Sequence, residues 1–284
     1  MNLPPPVVEW CRARGWGTIT DALPLGGGCI HRSFRLKTDD GHGLFLKVND
    51  DVPADLFERE AQGLTALMVD GGPRVPQPHL WGGSFLLLED LSPAAEQAGT
   101  WERLGRELAR LHGHTSRRFG FDHDNYLGLT PQPNPWTEDG REFFARHRLI
   151  FQTRRAREAG LLEADDARQA ERLAGRLTEL VPAEPARLIH GDLWSGNVLA
   201  GPRGEPCLID PACHFGWAEA ELGMTELFGG FPHRFYQAYA EARPLVPGWR
   251  ERFPVYNLYH LLNHLNLFGV GYLGSVRSVL QQFA

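Results

Sequence analysis

Residues 188–210 read LIHGDLWSGNVLAGPRGEPCLID, and their spacing decides the fold. The apolar pair Leu188-Ile189 reads as a short strand that delivers His190-Gly191-Asp192 into a loop. Asn197 lies five positions beyond Asp192. Val198-Leu199-Ala200, a Gly-Pro-Arg-Gly turn and Cys207-Leu208-Ile209 then predict a hairpin ending on Asp210. Two carboxylates and an amide are therefore expected at the mouths of adjacent short strands. Phosphoryl transfer needs such a set. Asp192 would accept the proton of an attacking hydroxyl, while Asn197 and Asp210 would hold Mg²⁺ against nucleotide phosphates. A surface hairpin with incidental acids gives no reason for a D-x-x-x-x-N spacing followed by an acid that closes an apolar strand.

Upstream, residues 7–16 predict a leading helix. Strands are expected over 19–25, 30–36 and 44–48, the first two joined by Gly26-Gly27-Gly28-Cys29. Three glycines let backbone N–H groups approach phosphate oxygens without Cβ obstruction, and Lys47 on the third strand would reach the phosphates as a point charge. Residues 53–68 predict a helix with Leu56, Phe57, Ala61, Leu64 and Leu67 on one face. Glu60 lies one turn from Leu56 and from Leu64, so it faces the strands and can pair with Lys47, whereas Glu58 falls on the opposite face. Two more strands, 79–81 and 85–88, lead into Glu89-Asp90-Leu91. An apolar strand emptying into an acidic connector reads as a hinge whose backbone would meet the adenine edge. The predicted domains are residues 1–90, a small nucleotide-binding lobe, and 91–284, a large catalytic lobe.

The remainder predicts helices. Thr100 is expected to cap one of them, with Trp101, Leu104, Leu108 and Leu111 on its face. Others are expected near 138–159, 163–180, 219–228, 231–242 and 249–283. Between the first two, residues 119–140 are polar and proline-rich, but Phe119, Phe121, Tyr126 and Trp136 predict an ordered loop. The fold class is thus α+β and bilobal, with an antiparallel small lobe carrying one helix and a mainly helical large lobe.

Composition narrows the partners. A net charge of −6 with mixed signs offers no basic face for nucleic acid or an anionic membrane. Four scattered cysteines without a CxxC pair fit a reducing compartment better than a disulfide scaffold or a zinc site. The N-terminus lacks a signal-peptide pattern, so a cytoplasmic location is expected.

At HGDLWSGN the chain resembles the fructosamine (ketosamine) kinase family, whose protein-kinase-like fold is shared with aminoglycoside phosphotransferases and choline kinases. GGGC, FLKV, LTPQPNPW, MTELFGGFP and YHLLNHLNLFG carry the likeness from about residue 15 to the C-terminus. The resemblance implies ATP- and Mg²⁺-dependent phosphorylation of a sugar hydroxyl on a ketoamine, on a small molecule or on a glycated protein lysine, leading to deglycation. It assigns Asp192 as proton acceptor, Asn197 and Asp210 as metal ligands, and Lys47 and Glu60 as the phosphate-positioning pair. Glu89-Asp90-Leu91 becomes the nucleotide hinge and Trp194 an aromatic beside the sugar. An indole two residues from the base would give the sugar ring an apolar wall and a nearby ammonium a π face; packing is the competing use of Trp194.

The sequence also departs from the family. Asp210 precedes Pro-Ala rather than Phe-Gly, as in small-molecule members of the fold. HFGWAEAELGM stands where the family commonly has a segment like YYGHREADLAM, so Ala218 replaces an Arg and Glu221 an Asp. If that acid braces the catalytic loop by accepting backbone N–H bonds, Glu221 does so with one more methylene. Glu219 could meet a substrate's cationic amine, though its place at a helix N-terminus explains it equally well. Cys29, among free N–H groups and near His31 and Arg32, is expected to be the readily oxidised cysteine, with a loop-to-loop disulfide dimer as one product. His260 and His264, four apart, suggest polar groups facing the groove rather than a metal site. Two other functions are open to this sequence: a kinase for an aminoglycoside or choline, and a catalytically silent kinase-fold binding module.

Overall fold

The computed structural model describes residues 3–26 and 30–284. Helix α1 (Pro5–Ala13) begins on prolines, whose missing N–H costs nothing in a first turn. Strands β1 (Ile19–Leu25), β2 (Arg32–Thr38) and β3 (Gly43–Val48) follow, then helix α2 (Leu56–Leu67), β4 (Pro78–Gly82) and β5 (Phe85–Glu89). They form an antiparallel sheet in the order β1-β2-β3-β5-β4. Strand alternation sets its two faces. Phe34, Leu36, Leu44, Leu46, Phe85 and Leu87 pack with Val7 and Cys11 of α1. Phe45, Lys47, Leu86 and Leu88 point the other way, toward α2, with Lys47 opposite Leu86 in register.

After Glu89 the chain becomes largely helical. It runs through α3 (Thr100–Leu111), the short strands β6 (Thr115–Ser116), β7 (Asn125–Leu127) and β8 (Thr130–Gln132), and α4 (Gly140–Phe144). A π-helical stretch, Ala145–Ile150, joins α4 directly to α5 (Phe151–Glu158), so the helix expected over 138–159 is continuous but locally unwound. Helices α6 (Ala164–Gly175) and α7 (Leu177–Leu180) lead to β9 (Ala186–Ile189), β10 (Val198–Ala200), β11 (Pro206–Leu208) and β12 (His214–Gly216). Helices α8 (Ala218–Leu227), α9 (His233–Ala242), α10 (Phe253–Phe268) and α11 (Leu273–Phe283) complete the chain. The long terminal helix expected from the sequence is broken at Gly269, whose φ of +84° ends α10.

Thr100 does not cap α3. It is the first helical residue, and its hydroxyl donates to the Gly204 carbonyl (2.9 Å), tying α3 to the turn between β10 and β11. The buried side chains of α2 share one cluster with Leu188, Leu193, Leu208, Cys213 and Leu222, so a single core runs beneath the point where the chain passes from sheet to helices. A second cluster fills the helical region between α4–α6 and α8, α10 and α11. No helix among the described residues is long and apolar enough to cross a membrane.

Candidate active site

Lys47, Glu60 and Asp210 meet between the sheet, α2 and the end of the β10–β11 hairpin. The Lys47 ammonium donates to Glu60 Oε1 at 2.6 Å and also to Asp210 Oδ1. Burial alone would lower the Lys47 pKa, but Asp210 and Glu60 outweigh it and raise it, so the ammonium stays charged. Burial likewise opposes ionisation of Asp210, and Lys47 overcomes it, leaving the Asp210 pKa below its ordinary value. Asp210 adopts φ +57°, a conformation rare for a residue with a side chain, which turns its carboxylate out of the hairpin.

Asp192 sits on the neighbouring loop. Asn197 donates its amide N–H₂ to the Asp192 carbonyl (2.8 Å) and to Asp192 Oδ2 (3.2 Å). Burial, followed by the charge of Asp210, pushes the Asp192 pKa up to about 7. A carboxylate so placed can take a proton near neutrality. The loop is held from below. Gly191, at φ +84°, passes so close to the Ala212 carbonyl that a Cβ would collide with it. Its N–H donates to Glu221 Oε1 (2.7 Å), while Glu221 Oε2 meets His112 Nε2 (2.8 Å) and His112 Nδ1 meets the Tyr239 hydroxyl (2.7 Å). Burial resists the Glu221 charge, but the hydrogen bond from His112 wins and its pKa falls. Glu221 thus reaches the loop backbone despite its extra methylene. His190 braces the same loop by contacting the Ile209 carbonyl through Nε2 (2.8 Å). His112 and Tyr239 were not legible as parts of this brace, because they lie 109 and 18 residues from Glu221 in the chain.

Asn197 Oδ1 and Asp210 Oδ2 have no hydrogen-bond partner among the described residues. Two free oxygens of this kind suit Mg²⁺, which binds one or two protein oxygens and completes its shell with water and phosphate. In the predicted hinge, the Glu89 carboxylate pairs with Arg74, and Asp90 pairs with Arg35 (2.9 Å) and accepts from the Ser92 hydroxyl (2.7 Å). Those side chains are committed to holding the crossing, so any contact with a base falls to the backbone. Gly26 closes the described part of β1's exit; Gly27, Gly28 and Cys29 lie outside the described residues, and with them the expectation of a redox-active thiol. The neighbours invoked for Cys29 are placed differently from that expectation. Burial and Lys47 push the His31 pKa down to about 4, so the ring is neutral, and Arg32 is paired with Asp50 at 3.2 Å.

On the far side of Asp192, the Trp194 indole is 37% exposed and meets Phe228 edge-on, ring centres 6.1 Å apart. Phe228 touches His264 (4.7 Å), which touches Phe268 (5.4 Å). His264 therefore belongs to an aromatic row, and His260 is buried behind it with its pKa lowered to about 3 by burial. Glu219 is not available to a substrate ammonium, contrary to expectation. Both its oxygens accept from Arg252, at 2.5 and 2.8 Å, and the pair is buried against α10. The proline-rich loop is ordered, as its aromatics predict. Asn125 donates to the Cys213 carbonyl (2.8 Å) and Gln132 to that of Ala212 (3.0 Å), strapping the β7–β8 hairpin to the segment after Asp210. Arg148, turned inward by the π-helical stretch, holds the loop's far end through the Pro133 carbonyl (2.7 Å) and Asn134 Oδ1 (2.6 Å).

Known proteins are similar to this chain along nearly its whole length. A sequence profile described as fructosamine kinase covers residues 9–284. The chain is 42% identical over 269 residues to a probable ketoamine kinase of Synechocystis, covering 93% of this chain and 90% of that protein. It is 39% identical over 291 residues to a chloroplastic protein-ribulosamine 3-kinase of Arabidopsis thaliana, covering 98% and 87%. A crystal structure of a proposed fructosamine-3-kinase from Thermobifida fusca superposes with a TM-score of 0.89 at 34% identity, over 99% of this chain and 98% of that one. An aminoglycoside phosphotransferase solved with ADP and hygromycin B shares the fold alone, at a TM-score of 0.62 and 16% identity over 98% and 99% of the two chains. The chain belongs to the fructosamine kinase family.

Proposed function

We propose that this protein is an ATP-dependent kinase that phosphorylates a sugar hydroxyl of ketoamines, the step that leads to deglycation. The observation that carries the reading is the placement of Asp192. Its carboxylate has a raised pKa, lies beside the Asn197–Asp210 oxygens, and is two residues from an exposed indole. Lys47, held by Glu60, would position the nucleotide phosphates, and the backbone of residues 89–91 would meet the base. Asp192 would take the proton of the sugar hydroxyl as its oxygen bonds to the γ-phosphorus and the bond to the β-phosphate oxygen breaks, leaving ADP. Mg²⁺, held by Asn197 and Asp210, would supply charge neutralisation for the phosphates. Trp194 would form one wall for the sugar. The relatives named for ketoamines and for protein-bound ribulosamine support this acceptor class over aminoglycosides and choline.

An ATP-consumption screen over fructosamines, ribulosamines, an aminoglycoside and choline, each with and without Mg²⁺, tests the reading. Turnover is expected with at least one ketoamine, only with the metal, and with neither of the other acceptors. Turnover of choline or the aminoglycoside alone would transfer the protein to the alternative acceptor class. ATP binding without turnover of any acceptor would make it a binding module.

A further inference from the structure

One guanidinium joins two parts of the molecule that the proposed chemistry sets at opposite ends of the nucleotide. Arg74, ahead of β4, donates through Nη2 to Glu89 Oε1, at the start of the residues proposed to meet the base. Through Nη1 it donates to Glu205 Oε1, in the turn between β10 and β11. The Glu205 side chain is only 1% exposed, and a carboxylate so buried is costly to keep charged without a partner. Its other oxygen accepts from the Arg203 N–H (2.8 Å) within the turn. The exposed Arg203 guanidinium comes no nearer than 3.7 Å, beyond hydrogen-bond range, so Arg74 is the cation bonded to Glu205. Burial resists the Glu205 charge, but backbone N–H groups and Arg74 outweigh it and lower the pKa.

The two ends that Arg74 joins are each firm. Asn197 immediately precedes β10, Asp210 lies two residues beyond β11, and the Ile209 N–H donates to the Asn197 carbonyl (3.1 Å). A displacement of this hairpin therefore carries both proposed metal ligands with it. At the other end, the Glu89 N–H donates to the Gln77 carbonyl (2.9 Å) and the Gln77 N–H to Glu89 Oε2 (3.3 Å). The Leu208 N–H donates to the Arg74 carbonyl (2.8 Å), so position 74 stays beside β11 whatever its side chain. What the guanidinium adds is the link from that point to Glu89. Its planar fork presents two donors at a fixed angle, which a single ammonium does not.

Resting on the nucleotide reading above, we propose that Arg74 is a positioning residue that locks the base end of the nucleotide site to its metal end. Residues 89–91 and the Asn197–Asp210 pair then keep one spacing. Loosening the link would weaken the nucleotide at both ends together and leave the ketoamine and the chemistry at Asp192 alone. The competing use of Arg74 is to balance the buried charge of Glu205.

Two variants and two kinetic constants separate these uses. Arg74→Met alone leaves Glu205 without its cation and is expected to lower the melting temperature. Arg74→Met/Glu205→Gln removes both charges, and its melting temperature is expected to return close to that of the wild type. In the double variant the KM for ATP is expected to rise about tenfold, the worth of one charge-assisted hydrogen bond, with kcat and the KM for the ketoamine kept. The Mg²⁺ concentration giving half-maximal rate at saturating ATP is expected to rise about threefold, because Arg74 stands further from the metal than outer-shell groups whose loss costs about tenfold or more. Glu89→Ala, at a partly exposed position, cuts the same link from the other end and is expected to move both constants the same way. ATP and Mg²⁺ constants at wild-type values in both variants would reduce Arg74 to a counter-charge and overturn the proposal. A rise in the KM for ATP without a change in the Mg²⁺ requirement would also overturn it, by confining the effect to the base end. A wild-type protein that neither consumes ATP nor is stabilised by it with Mg²⁺ would instead overturn the reading of the site, and the link with it.

Discussion

The two sides of Asp192 are built in opposite ways. On the side proposed for the nucleotide, Lys47 is buried and bound to two carboxylates, Asn197 is bound twice to Asp192, and the loop backbone is pinned by Glu221, His112 and Tyr239. On the side proposed for the acceptor, Trp194 and Phe268 stand exposed, and the row that joins them through Phe228 and His264 is made by ring contacts. The contrast teaches a division of labour. Charged groups that act on phosphate must be held before substrate arrives, because reorienting them during reaction would cost part of the rate acceleration. Apolar walls can wait for the substrate to cover them, since dispersion and desolvation need contact but little angular precision.

The division predicts which kinetic constant each side controls. Asp192→Asn should lower kcat by about a hundredfold or more, as loss of a general base implies, while ATP still shifts the melting temperature as in the wild type. Wild-type turnover in this variant would remove Asp192 from the chemistry and dissolve the contrast. Trp194→Ala should raise the KM for the ketoamine about tenfold, the equivalent of losing part of an indole's buried area, with the KM for ATP unmoved. Equal changes in both constants, measured by steady-state kinetics, would place Trp194 in the rigid half as a packing residue. The smallest effect is expected at the brace. Glu221→Asp, shorter by one methylene, should let go of either Gly191 or His112 and lower kcat about fivefold, the worth of one hydrogen bond, with both KM values kept. A rise in ketoamine KM instead would mean that the brace reaches across to the acceptor side.

Much of the rigid half was legible in the chain, because its geometry is local. Strand alternation decides that Lys47 faces away from Leu46, helical periodicity decides that Glu60 faces the sheet, and the hairpin register brings Asp210 back toward Asn197. The acceptor side was harder to read. Trp194 stood out through the family resemblance and its distance from Asp192, whereas Phe228, His264 and Phe268 join it from a loop and from α10. Glu219 misled for the same reason. Its partner Arg252 lies 33 residues away, and no spacing rule connects a helix N-terminus to the residue before a later helix. The π-helical stretch at 145–150 and the break at Gly269 were invisible because the apolar pattern runs through both, and only the surrounding packing tells one helix from two.

The cluster joining α2 to Leu188, Leu193, Leu208 and Leu222 has a consequence for how this enzyme could be remade. A cut near residue 90 divides the chain but not the hydrophobic interior, because the inner face of α2 is lined by side chains that come from the catalytic strands. Neither half is a cassette. Exchanging the first ninety residues for those of a relative would transplant a nucleotide site with half of its floor missing. Recombination between members of this family would therefore have to carry α2 and the β9–β11 strands together, although residues 68–185 separate them in the sequence.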